Sequence, residues 1–137
     1  MMQRPRSLLI MVFALLAACS LESGAPAISQ QQLLDTINGG EDILILDVRT
    51  AGEYSEGFIP GAKHFDHREI AARLHEISDY KQRPVVVYCL SGMRAAMVES
   101  TLMENGFDRV LHLQGDWSAW QKGNLPITKP GENSAQL

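Results

Sequence analysis

Apolar residues return along this chain in two rhythms. In the first they recur every three or four positions, as Leu33, Leu34 and Ile37, then Ile70, Leu74 and Ile77, then Ala95, Val98 and Leu102. Each set lies along one side of a 3.6-residue turn, which predicts amphipathic helices over 29–37, 68–77 and 94–105. In the second rhythm the apolar residues run on without a break. Residues 43–46 read Ile-Leu-Ile-Leu and residues 84–88 read Pro-Val-Val-Val-Tyr, the length and composition of strands. Residues 62–65 and 110–113 are shorter strand candidates, and Trp117 opens a last short helix through Lys122.

The punctuation agrees with the periodicity. Ser29 with Gln32 three positions on forms a capping-box signature, and Asn38-Gly39-Gly40 and Gly106 are stops at the far ends of two helices. Strands that are apolar throughout are covered on both faces, and their alternation with amphipathic helices predicts an α/β fold. The expected architecture is a central parallel sheet of four to five strands with helices on both faces. In such sheets ligands bind beyond the carboxyl ends of the strands. Cys89 follows the 84–88 strand directly and therefore falls at that edge.

Ahead of the first helix the pattern changes. Arg4 and Arg6 precede an uncharged apolar run over 7–18, the layout of a secretory signal and too short for the ~20 residues that span a bilayer. Leu16-Ala17-Ala18-Cys19 resembles the lipobox of bacterial lipoproteins. That resemblance implies cleavage before Cys19, lipidation of Cys19 and a stable membrane anchor. Ser20, a residue other than Asp after the cysteine, then favours the outer membrane and a periplasm-facing domain. Residues 19–27 read as a lipidated tether, 28–127 as one domain, and 128–137 as a loose polar tail.

The 137 residues suit a single domain, and 45% hydrophobic with 20% charged residues is ordinary for a globular protein. The net charge is −4, and loss of residues 1–18 would remove two arginines and no acid. A nucleic-acid partner is therefore not expected. Lipidation of Cys19 would leave Cys89 as the one free thiol, with no intramolecular disulfide possible. A lone thiol in an oxidising compartment calls for deep burial or a chemical role.

Cys89-Leu90-Ser91-Gly92-Met93-Arg94 joins a strand to a helix. If this loop wraps the sulfur, the N–H groups of residues 90–94 converge on it and the helix adds its positive end. A thiolate is stabilised in such a place, as are the terminal sulfur of a persulfide and the oxyanion of a donor such as thiosulfate. Cys89 would then be the catalytic nucleophile of a covalent two-step transfer, with Leu90, Ser91, Gly92, Met93 and Arg94 around the substrate. The competing explanation, a structural cysteine buried at a strand end, has no use for Gly92 and Arg94. Asp47 and Arg49 sit at another strand's carboxyl end, where capping and active-site residues are about equally common.

Three motifs over 28–127 resemble the rhodanese family. Asp47-Val48-Arg49 with Glu53-Tyr54, Gly57, Ile59, Gly61 and Ala62 is similar to its first signature, and Cys89-x-x-Gly92-x-Arg94 to its active loop. Leu113-Gln114-Gly115-Asp116-Trp117 with Trp120, Gly123 and Pro126 resembles its carboxyl-terminal signature. The resemblance implies a rhodanese-like fold and a sulfurtransferase moving sulfane sulfur from a donor such as thiosulfate to a thiophilic acceptor. It implies that Cys89 carries the persulfide, Arg94 belongs to the donor-binding loop, and Asp47, Arg49 and Glu53 are supporting residues. Arg49 and Glu53 are expected to form an ion pair. Phe58, where the family often has His, and Asp116, in place of the second Gly of its Gly-Gly, depart from the pattern.

No cofactor or metal is expected. His64 and His67 lack the Cys or carboxylate companions of a metal site, and Trp117 and Trp120 read as core. A cysteine phosphatase or arsenate reductase shares the thiolate, the cradle and the Arg. Those enzymes place five residues between Cys and Arg, against four here. A non-catalytic sulfur carrier or partner-binding module remains the other alternative.

Overall fold

A computed structural model describes residues 24–132. Cys19, its signal-like flank, most of the tether and residues 133–137 lie outside the described residues. In chain order the elements are β1 (Ala27–Ile28), α1 (Gln30–Asn38), β2 (Leu44–Asp47), α2 (Ala51–Glu56), β3 (Lys63–His64), α3 (Ile70–Arg73), a 3-10 helix (Leu74–Tyr80), β4 (Val85–Tyr88), α4 (Met93–Glu104), β5 (Val110–Leu113) and α5 (Asp116–Lys122). The sheet is five-stranded and parallel in the order β1-β5-β4-β2-β3.

Successive side chains of β2 and β4 point to opposite faces, so each strand feeds two cores. Leu44, Leu46, Val85 and Val87 pack with Ile70, Ile77, Ala95, Val98 and Leu102, beneath α3, the 3-10 helix and α4. Ile45, Val86 and Tyr88 pack with Leu33, Ile59, Trp117 and Trp120, on the side of α1 and α5. That double cover is why both strands are apolar at nearly every position. An α/β fold with a parallel sheet and helices on both faces is the architecture expected from the sequence.

Three local expectations are corrected, and one helix is added. The helix over 68–77 is a single α turn that tightens into a 3-10 helix, where the Arg73–Glu76 pair bridges residues i and i+3 at 2.8 Å. Helix α2 has no buried residue and hence no apolar rhythm. It is held by a capping box in which Thr50 accepts from the Glu53 N–H while Glu53 accepts from the Thr50 N–H. The tether is ordered at its end: β1 takes Ala27 into the sheet, with the His112 N–H donating to the Pro26 carbonyl at 2.8 Å. The tail does not begin at 128, because Thr128 and Phe58 exchange two backbone hydrogen bonds of 2.9 Å.

Candidate active site

The carboxyl ends of β2 and β4 lie side by side, with Asp47 opposite Tyr88. Asp47 is completely buried and holds Arg49, whose Nε lies 2.9 Å and Nη2 2.5 Å from its carboxylate. The Tyr88 hydroxyl donates to Asp47 Oδ2 at 2.7 Å and accepts from the Ile59 N–H at 3.1 Å. The Arg49 guanidinium also donates to the Gly57 carbonyl at 2.7 Å and lies 4.3 Å from the Trp117 ring centroid. Burial works against the charge on Arg49, but the Asp47 hydrogen bonds and carboxylate outweigh it and hold its pKa above the ordinary value.

The expected Arg49–Glu53 pair does not form. Arg49 folds back under Trp117 to Asp47, out of reach of α2's first turn, and Glu53 pairs instead with Arg94. Arg94 Nη1 and Nη2 donate to Glu53 Oε2 and Oε1 at 2.8 and 2.9 Å, a two-pronged contact. Arg94 draws the Glu53 carboxyl down to about 2. The Arg94 pKa is raised in turn, first by Glu53 and then, more weakly, by the Cys89 sulfur. Arg94 thus stands between α2 and the thiol. Supporting residues that looked like one group in the sequence belong to two, one around Asp47 and one around Arg94.

Cys89 is 1% exposed and leaves β4 where the strand ends. Its sulfur accepts the Gly92 N–H at 3.0 Å. Gly92 has φ 111°, and a Cβ there would come within 3.2 Å of Asp116 Oδ2, so the turn needs glycine on both counts. Helix α4 then starts with no side-chain cap. No protein acceptor is recorded among the described residues for the N–H groups of Leu90, Ser91, Met93 and Arg94. Of the five N–H groups expected to converge on sulfur, one is in hydrogen-bond contact. The others are open donors at the positive end of a helix, a setting that receives an anion.

The carbonyls of the same loop point the other way. Those of Cys89 and Leu90 accept from the Trp117 and Ser118 N–H groups at the start of α5, at 3.0 and 3.2 Å. The Ser118 hydroxyl adds a second bond to the Leu90 carbonyl at 2.9 Å. Asp116, flagged by the sequence only as a departure, is 2% exposed and accepts the Cys89 N–H on Oδ1 at 2.9 Å. Its Oδ2 faces His112 Nε2 at 3.2 Å, and His112 Nδ1 lies 2.6 Å from Glu99 Oε1. Sequence reading missed His112, Glu99 and Ser118. Asp116 in a position that tolerates glycine was the one signal that pointed towards them.

Leu90 and Met93 are exposed, and the buried Phe58 stacks on Tyr54 with centroids 4.0 Å apart. His64 is not on a helix with His67; it lies in β3, with Nε2 2.8 Å from the Arg49 carbonyl. Among the described residues no group of three or more His, Cys, Asp or Glu side chains is placed to hold a metal ion.

Comparison with known proteins agrees with this geometry. The model of the rhodanese-like domain matches residues 29–123. A sulfurtransferase of Allochromatium vinosum is 42% identical over 100 residues, covering 73% of this chain and 88% of the relative. The thiosulfate sulfurtransferase GlpE of Pseudoalteromonas translucida is 33% identical over 94 residues, 69% of this chain and 87% of its own. Among solved structures, a thiosulfate sulfurtransferase of Pseudomonas aeruginosa superposes with a TM-score of 0.69 at 21% identity, over 77% of this chain and 20% of that one, a likeness of fold. By its strand order, its cysteine loop and these relatives, the chain belongs to the rhodanese-like domain family.

Proposed function

We propose that the protein is a sulfurtransferase that carries sulfane sulfur on Cys89 as a persulfide, taking it from a donor such as thiosulfate and yielding it to a thiophilic acceptor. The observation that carries this reading is the Gly92 N–H on the Cys89 sulfur at the open start of α4. The neighbouring donors fit the extra charge of a second sulfur atom. Relatives named sulfurtransferase support the same reaction class.

The Cys89 thiolate attacks the outer sulfur of thiosulfate; the S–S bond of the donor breaks, and sulfite leaves with its electron pair. The new Cys–S–S⁻ is anionic and rests against the loop donors and Arg94. A nucleophile such as cyanide then attacks the terminal sulfur, breaks the persulfide bond and leaves as thiocyanate, returning the thiolate. No cofactor takes part in either step. Four residues between Cys89 and Arg94 make a smaller ring than the five of cysteine phosphatases, which suits one sulfur atom better than a tetrahedral phosphate.

Thiosulfate treatment should add about 32 Da, one sulfur atom, to the Cys89 peptide. Thiosulfate and cyanide together should yield thiocyanate, and Cys89→Ala should lose both signals. Equal thiocyanate formation by Cys89→Ala, or aryl phosphate hydrolysis without thiocyanate, would overturn the assignment. A stable persulfide with no turnover would make the protein a carrier. The same proposal places the domain at a membrane through Cys19. Membrane association of the full chain in a bacterial host should then disappear in Cys19→Ser.

A further inference from the structure

Three side chains behind the cysteine loop form a line that the reaction above does not use. Glu99 comes from the middle of α4, His112 from β5 and Asp116 from the start of α5, and the ring of His112 bridges the two carboxylates at 2.6 and 3.2 Å. Glu99 and Asp116 are 4% and 2% exposed, so neither charge is dissolved in water. Asp116 adopts φ 52°, a left-handed conformation that favours glycine. A costly backbone and a buried carboxylate at one residue mark a side chain held for what it does. Its Oδ1 takes the Cys89 N–H, and Gly92, whose own N–H reaches the sulfur, leaves a gap in which a Cβ would come within 3.2 Å of Oδ2 and 3.6 Å of the imidazole.

We propose that Asp116, braced by His112 and Glu99, is the positioning residue of the sulfur-carrying loop and that the proton on His112 holds it in place. The loop's polarity follows from that contact. With the Cys89 N–H turned back to Asp116 and the Cys89 and Leu90 carbonyls turned back to α5, what the loop brings to the sulfur is an N–H, that of Gly92. The imidazolium donates to both carboxylates. A neutral ring has one proton to give, and Glu99, the shorter contact, keeps it. The lone pair of Nε2 then faces Asp116 Oδ2, and the brace on the Cys89 peptide is lost.

The groups around the ring are few. Glu99 faces it from α4, Asp116 from α5 and Gly92 from the cysteine loop; β1 and β4 present Ala27 and Val87 as neighbours in register. Burial disfavours the imidazolium, but Glu99 and then Asp116 outweigh it, so the ring titrates above its ordinary value. The braced form is therefore favoured at low pH and is lost as pH rises through the raised pKa.

This inference rests on Cys89 being the reactive group, so its test reads the thiol without asking for sulfur transfer. The rate of Cys89 alkylation by iodoacetamide, followed against pH in the full protein, should carry a second step of about tenfold where NMR shows the His112 ring losing its proton. His112→Gln and Asp116→Gly should remove that step. The glycine relieves the positive φ and keeps the fold, yet should alkylate about tenfold more slowly at neutral pH. Asp116→Asn, which still offers an acceptor to the Cys89 N–H, should recover most of that rate but not the step. Coupling is reciprocal, so Cys89→Ser should lower the pH at which His112 titrates. Native and His112→Gln profiles of the same shape, or an Asp116→Gly rate equal to native, would overturn the proposal. Thiocyanate formed normally alongside either result would leave the transfer reading intact; no thiocyanate with the step present would do the reverse.

Discussion

Adjacent strands end in opposite ways at the same edge of this sheet. Around Asp47, at the end of β2, the oxygens are taken by Arg49 and Tyr88, the guanidinium by Asp47 and Gly57, and both charged side chains are at most 2% exposed. Around Cys89, at the end of β4, one N–H meets the sulfur and the next donors have no protein partner among the described residues. The closed cluster ties β2, β4, the turn after α2 and α5 together through one ion pair. The open one leaves its donors unpaired among the described residues, where the proposed substrate would meet them. Buried polar groups that satisfy one another build a scaffold, whereas donors left free at a helix start make a site.

The comparison is broken most directly at the closed end. Arg49→Met should cost about 3–5 kcal/mol in urea unfolding, because it strands the Asp47 carboxylate in an apolar interior. Asp47→Asn together with Arg49→Met removes the orphan charge and should cost distinctly less than the single change. If the single variant unfolds within about 1 kcal/mol of native, the pair is not the scaffold described here.

At the open end the order of effects reverses. Arg94→Ala should raise the KM for thiosulfate by about tenfold, the loss of one charge-assisted contact to an anion, and change stability by about 1 kcal/mol or less. Its partner supplies the pH dependence. The Glu53 carboxyl, drawn down to about 2 by Arg94, contributes stability that is complete above the unfolded value near ~4.3 and is lost as pH falls towards about 2. The stability difference between native and Glu53→Gln should therefore be flat from pH 5 to 7 and shrink below about pH 4.3. A difference that persists unchanged at pH 2 would mean Glu53 acts through the Thr50 capping box and not through Arg94.

These two ends were unequally legible in the sequence. β4 and its cysteine were plain, since a strand covered on both faces is apolar at every position and Cys89-x-x-Gly92-x-Arg94 is local in the chain. Helix α2 was not, because none of its residues is buried and a rhythm of apolar residues is all that periodicity can detect. The partners of the charged residues were hidden for a different reason. Glu53 and Arg94 are 41 positions apart, and Cys89 and Asp116 are 27 apart. The expectation for Arg49 followed sequence proximity to Glu53, but burial under Trp117 put the nearest acceptor at Asp47. Glu99 gave no signal, as a charged residue in mid-helix ordinarily faces water.

The smallest expected effect sharpens the contrast by showing what the open end does not use. Met93 and Met97, one turn apart on α4, are 83% and 65% exposed beside the cysteine loop, so neither supports the core. Only the backbone of Met93 lies at the helix start, where its N–H is one of the free donors. Serine keeps that N–H and removes the thioether. Met93→Ser should accordingly change unfolding free energy by no more than about 0.5 kcal/mol, the range of surface substitutions, and leave thiocyanate formation within about twofold of native. Met93→Pro, which removes the N–H and crowds the Gly92 N–H before it, should lower the rate well below that of Met93→Ser. Equal losses in the two variants would assign the effect to the side chain and refute the view that main-chain donors form the site.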